Sequence, residues 1–115
     1  MMAGLNCGTP CKVIWPVLRD YAEFCIAGPD EMAADGMRTY AAGLDGDPVI
    51  ISGESGAATL GAAQRILEDP RFAEVKQTMG FDENSVLLLI NTEGDTDPEN
   101  YRKIVGKSPK ELQAL

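Results

Sequence analysis

The sequence contains no histidine, few basic residues and no long apolar run. Without histidine there is no Ser-His-Asp or Cys-His pair and no imidazole to act as a general base. Ten Lys and Arg residues against 18 Asp and Glu residues give a net charge of −8, whereas nucleic-acid binding needs a basic stripe. No apolar stretch approaches the roughly 18 residues that a membrane span requires. We therefore expect a cytoplasmic protein that binds neither nucleic acid nor a membrane.

Cysteine is scarce and odd in number, because the chain has only Cys7, Cys11 and Cys25. Three thiols do not read as a disulfide framework, and a zinc site would lack ligands without histidine or a second cysteine pair. We predict no metal site, and we expect the thiols to be small buried or half-buried groups.

The length of 115 residues and the 44% share of hydrophobic residues are those of one globular domain spanning residues 1–115. Apolar residues at helical spacing, prolines at first helical positions and glycines at the ends predict helices. The predicted helices cover about residues 16–25, 29–42, 57–67, 70–79 and 98–105. Ser108 and Glu111 predict a capping box that begins a last helical turn.

Two apolar runs lack helical spacing, at residues 49–52 and 85–91. Because neither alternates with polar residues, both predict strands buried on two faces, as in a parallel sheet. The expected fold class is therefore α/β, a partial three-layer parallel sheet flanked by helices. So few strands make a thin sheet, which suggests part of a larger domain.

A polar, glycine-bearing loop follows each predicted strand, at residues 52–56 and 91–95. If the strands are parallel, both loops lie at the same edge of the sheet, where ligands of such folds bind. The first loop begins a helix, where an anion is favoured. It fits neither the P-loop nor the dinucleotide fingerprint, so a ligand cradle and a simple tight turn both stay open. The acids of the second loop are interpreted as solvated surface and helix-start charges rather than a calcium site.

Three stretches of the sequence resemble a known family. They are "MAGLNCGTPCKVIWPVLRDYAEFCIAGPDEMAADGMR", "GDPVIISGESGAA" and "LLLINTEGDTDPENYRKIV". They are similar to the C-terminal part of the diaminopropionate ammonia-lyases, pyridoxal-phosphate enzymes of the fold-type-II, tryptophan-synthase-β-like superfamily. The resemblance covers nearly the whole chain and implies a piece of the large domain of that fold.

The resemblance also implies an activity and a site. Enzymes of this family convert the small amino acid 2,3-diaminopropionate to pyruvate and ammonia by α,β-elimination, with pyridoxal phosphate as cofactor. The residues that would border the cofactor here are Gly53, Glu54, Ser55, Gly56 and Thr92. Thr92 would face the ring nitrogen with a neutral hydroxyl, whereas an aspartate would hold that nitrogen protonated. Whether Glu54 contacts the ring or only braces its loop stays open.

The family's Schiff-base lysine and phosphate loop have no counterpart in this sequence. The five lysines are Lys12, Lys76, Lys103, Lys107 and Lys110. None lies in an apolar run beside the glycine loops, and Schiff-base chemistry needs a lysine whose pKa burial has lowered. We therefore predict no catalytic residue, no covalently bound cofactor and no lyase activity for this chain alone.

Two other functions fit the residues. The first is a non-catalytic interaction module that dimerises through apolar faces, because strand edges and apolar faces favour a homodimer that covers them. The second is a small anion-binding domain that uses the glycines of residues 53–56.

Overall fold

The computed structural model describes residues 1–114, and all the regular structure in this range is helical. The α-helices are α1 (Trp15–Tyr21), α2 (Asp30–Ala42), α3 (Glu54–Glu68), α4 (Ala73–Thr78), α5 (Pro98–Val105) and α6 (Pro109–Gln113). Short 3-10 helices cover Ala3–Leu5, Leu44–Gly46 and Pro70–Phe72.

The predicted α/β fold, a partial parallel sheet flanked by helices, is wrong: residues 1–114 contain no strand. Neither apolar run is helical, and neither forms the backbone hydrogen bonds of a β-sheet with a neighbouring strand in this range. The N–H of Ile50 instead donates to the carbonyl of Tyr40 near the end of α2, at 2.9 Å. An apolar run without alternation indicates burial, but a strand also needs a neighbour that satisfies its backbone groups. Within the described residues neither run has such a neighbour.

The predicted helix ends are largely confirmed. Gly43 and Gly106 end α2 and α5 with positive φ angles of 57° and 85°, a backbone conformation that glycine adopts without steric cost. The side chain of Asp97 accepts from the N–H of Asn100, and Ser108 forms the predicted capping box of α6. The first helix is shorter than predicted: it ends at Tyr21 and not at residue 25.

Helices α2 and α3 pack closely against each other and form the core. Two glycines permit this approach: a Cβ on Gly36 would collide with the carbonyl of Ala57, and one on Gly61 with the carbonyl of Met32. Met37 is buried against Ala57 in this core. From α5 and α6, Tyr101 and Leu112 complete the cluster. The result is a two-helix core whose outer side α5 covers.

Much apolar surface remains uncovered. The accessible surface is 8357 Å², against about 6,100 Å² for a typical monomer of this mass. The radius of gyration is 15.4 Å, against about 13 Å for a compact domain of this length. Val86, Leu88 and Tyr21 are 95%, 85% and 81% exposed. Burial of the 85–91 run on both faces, which its sequence predicts, is therefore not found within this chain.

The three thiols are free and exposed, so the expectation of buried or half-buried cysteines is wrong. Cys7 lies in the irregular amino-terminal segment, and Cys25 lies beyond the end of α1. Met2 of the amino-terminal segment packs against the core cluster of α2 and α3, but Cys7 itself stays exposed. Backbone hydrogen bonds from Ile14 and Val13 lower the pKa of the Cys11 thiol.

Candidate functional site

The two polar loops that were expected to share a sheet edge do lie side by side, without a sheet. The N–H of Gly53 donates to the carbonyl of Glu93 at 2.8 Å. The hydroxyl of Ser52, a fully buried residue, donates to Oδ1 of Asn91 at 2.8 Å. These bonds join the start of α3 to the loop that leads into α5.

The start of α3 is already occupied by a carboxylate. Oε2 of Glu93 accepts from the backbone N–H of Ser55 at 2.6 Å, and Oε1 accepts from the hydroxyl of Thr96 at 3.1 Å. A carboxylate at a helix N-terminus satisfies a free N–H and favours the helix dipole. An external anion would have to displace this side chain, so the geometry disfavours an anion site at residues 53–56.

The two glycines of the first loop permit the contact between the loops. A Cβ on Gly53 would collide with the carbonyl of Gly94, and one on Gly56 with Oδ1 of Asn91. Neither glycine has a positive φ angle. Both positions therefore need glycine because the second loop approaches closely, and not because a turn requires a left-handed backbone.

Glu54 braces the site. One oxygen of its carboxylate accepts from the backbone N–H of Met2 at 2.5 Å, and the other from the side-chain amide of Asn100. It thus links the amino-terminal segment, α3 and α5. The sequence left open whether Glu54 contacts the cofactor ring or braces its loop, and these hydrogen bonds fit the bracing role.

The two hydroxyls predicted to face the cofactor are in different environments. Oγ of Ser55 is buried without a hydrogen-bond partner among residues 1–114, and Gly4 lies over it. Thr92 is exposed on the second loop. Both belong to the joined loops, so the structure brings all five predicted site residues into one region.

A cleft of about 170 Å³ opens between this region and α5. Its lining includes Gly53, Glu54, Glu93, Asp95, Asp97 and Tyr101, and the described lining residues include no Lys or Arg. The ion pairs found among residues 1–114 involve none of the four carboxylates. The cleft is therefore strongly negative, and the interpretation of the second loop's acids as solvated surface misses the half-buried Glu93 and Asp95.

Three of these carboxylates have hydrogen-bond donors within the protein. Glu54 and Glu93 bind the donors described above, and Asp97 caps α5. Asp95 has no such bond among the described residues. Groups of three or more His, Cys, Asp or Glu side chains that could hold a metal ion are also not found in residues 1–114.

Tyr101 is the residue of this cleft that sequence analysis missed. It is only 1% exposed, yet its hydroxyl has no hydrogen-bond partner within the described part of the chain. Burial, and then the charge of Asp95, raise the pKa of this phenol. In the sequence, the helical spacing of Tyr101, Ile104 and Val105 indicates an apolar face of α5. This spacing cannot show that the buried hydroxyl of Tyr101 lacks a hydrogen-bond partner among residues 1–114.

Curated relatives share one sequence region with this chain. No family model matches the sequence. An enzyme of Escherichia coli strain K12 is 41% identical over 105 residues, which are 91% of this chain and 26% of that protein. A Salmonella typhimurium LT2 enzyme is 41% identical over 106 residues, with the same shares. Both relatives are diaminopropionate ammonia-lyases. This chain is therefore similar to diaminopropionate ammonia-lyase. The resemblance seen in the sequence motifs is thereby confirmed.

Solved structures of diaminopropionate ammonia-lyase agree with this result. The E. coli enzyme in complex with D-serine superposes with a TM-score of 0.84 at 41% identity, over 91% of this chain and 27% of the other. The complex of that enzyme with an aminoacrylate-PLP azomethine reaction intermediate gives the same TM-score and identity over 90% of this chain and 27% of the other. The apo form gives 0.78 at 38% identity, over 84% and 27%. The chain therefore spans about a quarter of the length of the curated relatives it matches.

The length and apolar character of the helices bear on whether one could cross a membrane. Among the described residues, none combines the length and the apolar character needed to cross a membrane.

Proposed function

We propose that this chain supplies one wall of the pyridoxal-phosphate site of an enzyme of the diaminopropionate ammonia-lyase kind. The observation that carries the proposal is the 41% identity and the TM-score of 0.84 to lyase structures solved with ligands. The contact between the loops at Gly53 and Glu93 supports it, because it holds the five proposed cofactor-binding residues in one region. In this proposal the enzyme acts on a small amino acid in the cytoplasm.

The proposed wall offers neutral hydroxyls rather than charges to the cofactor. Thr92 would hold the ring nitrogen, and the buried hydroxyl of Ser55 is a second group that lacks a partner among residues 1–114. Gly53, Glu54 and Gly56 would position these two by fixing the contact between the loops. When bound, pyridoxal phosphate supplies the electron sink for elimination at an amino acid. A neutral partner at the ring nitrogen leaves that sink weaker than a carboxylate would.

The chain alone is proposed to be inactive, because its lysines are unsuited to bind the cofactor covalently. Lys76, the one that is half-buried, donates to the carbonyl of Leu67 on the far end of α3. The other four are exposed. None lines the cleft within the described residues. A Schiff-base lysine is normally buried beside its cofactor, whereas four of these side chains are exposed and the fifth is bonded away from the cleft.

The test of inactivity uses the chain as it is. We expect that incubation with pyridoxal phosphate and borohydride leaves no stoichiometric cofactor adduct on a single lysine, as read by mass spectrometry. We also expect no pyruvate from 2,3-diaminopropionate. An adduct on one lysine together with pyruvate formation would show a self-sufficient enzyme and overturn this part of the proposal.

A dimerising interaction module is the second candidate, and the uncovered apolar surface favours it. The accessible surface exceeds that of a typical monomer by about 2,300 Å², more than the roughly 800 Å² that each partner buries in a standard interface. The outward residues of the extended run, Val86, Leu88 and Ile90, are 95%, 85% and 63% exposed. A second copy of this chain covering that face would form a homodimer.

Light scattering after gel filtration tests the dimer. We expect twice the chain mass for the native sequence and a monomer for Leu88→Asp, which places a charge in the apolar face. Asn84→Asp adds the same charge in the exposed turn before the face and should leave the dimer intact. A monomeric native chain rules the homodimer out, and the wall proposal is unaffected by that result.

A further inference from the structure

Tyr101 presents an unexplained polar group at the acidic cleft. The residue is 1% exposed, and its hydroxyl has no hydrogen-bond partner among residues 1–114. A buried polar group without a partner is costly and rare in folded proteins. Tyr101 also lines the cleft, together with Asp95. This cleft-lining residue thus carries a buried hydroxyl that has no partner among residues 1–114.

Asp95 is a second unused group in the same cleft. The other three carboxylates are held by donors from the protein, whereas Asp95 accepts no hydrogen bond within the described chain. Asp95 and Tyr101 line the same cleft, and the charge of Asp95 contributes to the raised pKa of the Tyr101 phenol. Because no cation of the described residues lines the cleft, its negative charge is left for a ligand to neutralise.

The chemistry of the cleft narrows the class of ligand. An anion is excluded by four carboxylates without a counter-charge. A metal ion is disfavoured because residues 1–114 bring together no group of three ligating side chains. The volume of about 170 Å³ equals about six water molecules of liquid, which suits a small organic group. A primary ammonium donates three hydrogen bonds and needs acceptors of the kind that Asp95 and Tyr101 offer.

We propose that the cleft binds the primary ammonium group of a small amine, with the carboxylate of Asp95 and the hydroxyl oxygen of Tyr101 as acceptors. The site goes beyond the proposed cofactor wall, although it shares Gly53 and Glu54 with it. All its residues belong to this chain, so binding does not require pyridoxal phosphate. Failure of cofactor binding and failure of this proposal are therefore separate results.

The experiment titrates the native chain with methylammonium chloride and follows amide NMR signals. Tetramethylammonium chloride carries the same charge without donating hydrogen bonds, and sodium chloride at equal ionic strength controls for screening. We expect saturable shifts at Gly94, Asp95 and Thr96 with methylammonium only. At tenfold excess over Kd, the Tm should rise by about 3–6 °C.

Three variants assign the binding to the two acceptors. Asp95→Asn and Tyr101→Phe should each weaken binding at least about tenfold, the effect expected when a hydrogen bond to a charged group is lost. Glu99→Gln removes one charge from the same helix region, on a side chain that is 86% exposed and outside the cleft, and it should bind like the native chain.

Three outcomes overturn the proposal. One is the absence of saturable methylammonium shifts in the native chain. Another is equal shifts with tetramethylammonium, which would indicate charge attraction without a built site. The third is an unchanged Kd in Asp95→Asn. Should Tyr101→Phe fail to fold, the Asp95→Asn and Glu99→Gln pair still decides the question.

Discussion

The backbone N–H of Gly53 donates a 2.8 Å hydrogen bond to the carbonyl oxygen of Glu93, 40 positions further along the chain. This bond joins two loops that the sequence places after two separate apolar runs. It forms although the runs do not pair as strands in residues 1–114. The proposed cofactor wall and the ammonium cleft both depend on this contact between the loops.

Gly56→Ala should break the contact between the loops. The added Cβ would collide with Oδ1 of Asn91 and lie 2.9 Å from Oγ of Ser52, two atoms that are hydrogen-bonded to each other. We expect a loss of about 1–3 kcal/mol in the free energy of unfolding, measured by urea denaturation. Gly8→Ala, where no atom lies within 4 Å of the new Cβ, should stay close to the native value. Equal stability of the two variants would show that the loops can separate without cost.

Gly61→Ala tests the close approach of α2 and α3. Within a helix, glycine to alanine normally stabilises by about 0.5–1 kcal/mol, but here the Cβ would collide with the carbonyl of Met32. Backbone cannot move aside as a flexible side chain can, so the steric cost of about 1–3 kcal/mol should prevail. The expected result is a lower thermal midpoint, with Gly94→Ala, which meets open space, as the control. A rise in the midpoint would mean that the helices pack less tightly than described.

Tyr101→Phe tests whether the Tyr101 hydroxyl lacks a hydrogen-bond partner in the folded protein. Without a partner in the protein, removal of the hydroxyl should leave the free energy of unfolding unchanged at neutral pH or raise it by up to about 1 kcal/mol. A clear loss of stability would instead reveal a partner that holds the hydroxyl in the folded state.

The same variant tests a pH dependence. Because burial raises the folded-state pKa of Tyr101, folding favours the protonated phenol. Its contribution to stability is full below the unfolded pKa of about 10 and is lost as the pH rises through the higher folded value. Stability should therefore decline less steeply above pH about 10 in Tyr101→Phe than in the native chain. Parallel alkaline decline in both proteins would contradict the raised pKa.

Asp69 should show the opposite dependence at acid pH. Hydrogen bonds from Arg71, first from its side chain and then from its backbone N–H, lower the pKa of Asp69 to about 2. Its contribution to stability is present above the ordinary value of 3.8 and is lost as the pH falls toward about 2. Arg71→Gln should return the carboxyl midpoint toward 3.8 in an NMR titration. A midpoint near 3.8 in the native chain would show that solvent breaks this exposed pair.

Local sequence signals predicted the helices well, because their causes are local. Gly43 and Gly106 end helices by a positive φ angle, and Ser108 caps one with its own side chain and that of Glu111. The sheet was wrong because residues 85–91 need a neighbouring strand that residues 1–114 do not provide. An apolar run predicts that a segment is buried, but it does not show which other segment packs against it.

The candidate site was predicted in part for the same reason. Gly53 and Thr92 stand in polar loops that the sequence marks clearly. The loops meet through the hydrogen bond from Gly53 to Glu93, although residues 1–114 lack the sheet that was expected to bring them together. The cleft was missed because Asp95 and Tyr101 come to line it through the packing of α5 on the core. Their spacing of six residues across a helix start carries no recognisable motif.

The contribution of Thr92 can be isolated in a chimeric enzyme. The chimera is E. coli diaminopropionate ammonia-lyase in which this chain replaces the 105-residue region that it matches. In that background Thr92→Val should weaken pyridoxal-phosphate affinity, because the ring nitrogen loses its hydroxyl partner. Thr78→Val, on α4 and outside both loops, should leave the affinity unchanged. If the chimera binds pyridoxal phosphate equally well with and without Thr92→Val, Thr92 does not contact the ring nitrogen.

The chimera itself tests most directly whether this chain forms a wall of the cofactor site. The measurement is pyruvate formation from 2,3-diaminopropionate, together with the amount of pyridoxal phosphate bound per chain. We expect the chimera to bind the cofactor and to turn over the substrate. A chimera that folds, with native-like secondary structure and a cooperative unfolding transition, yet binds no pyridoxal phosphate would contradict this expectation.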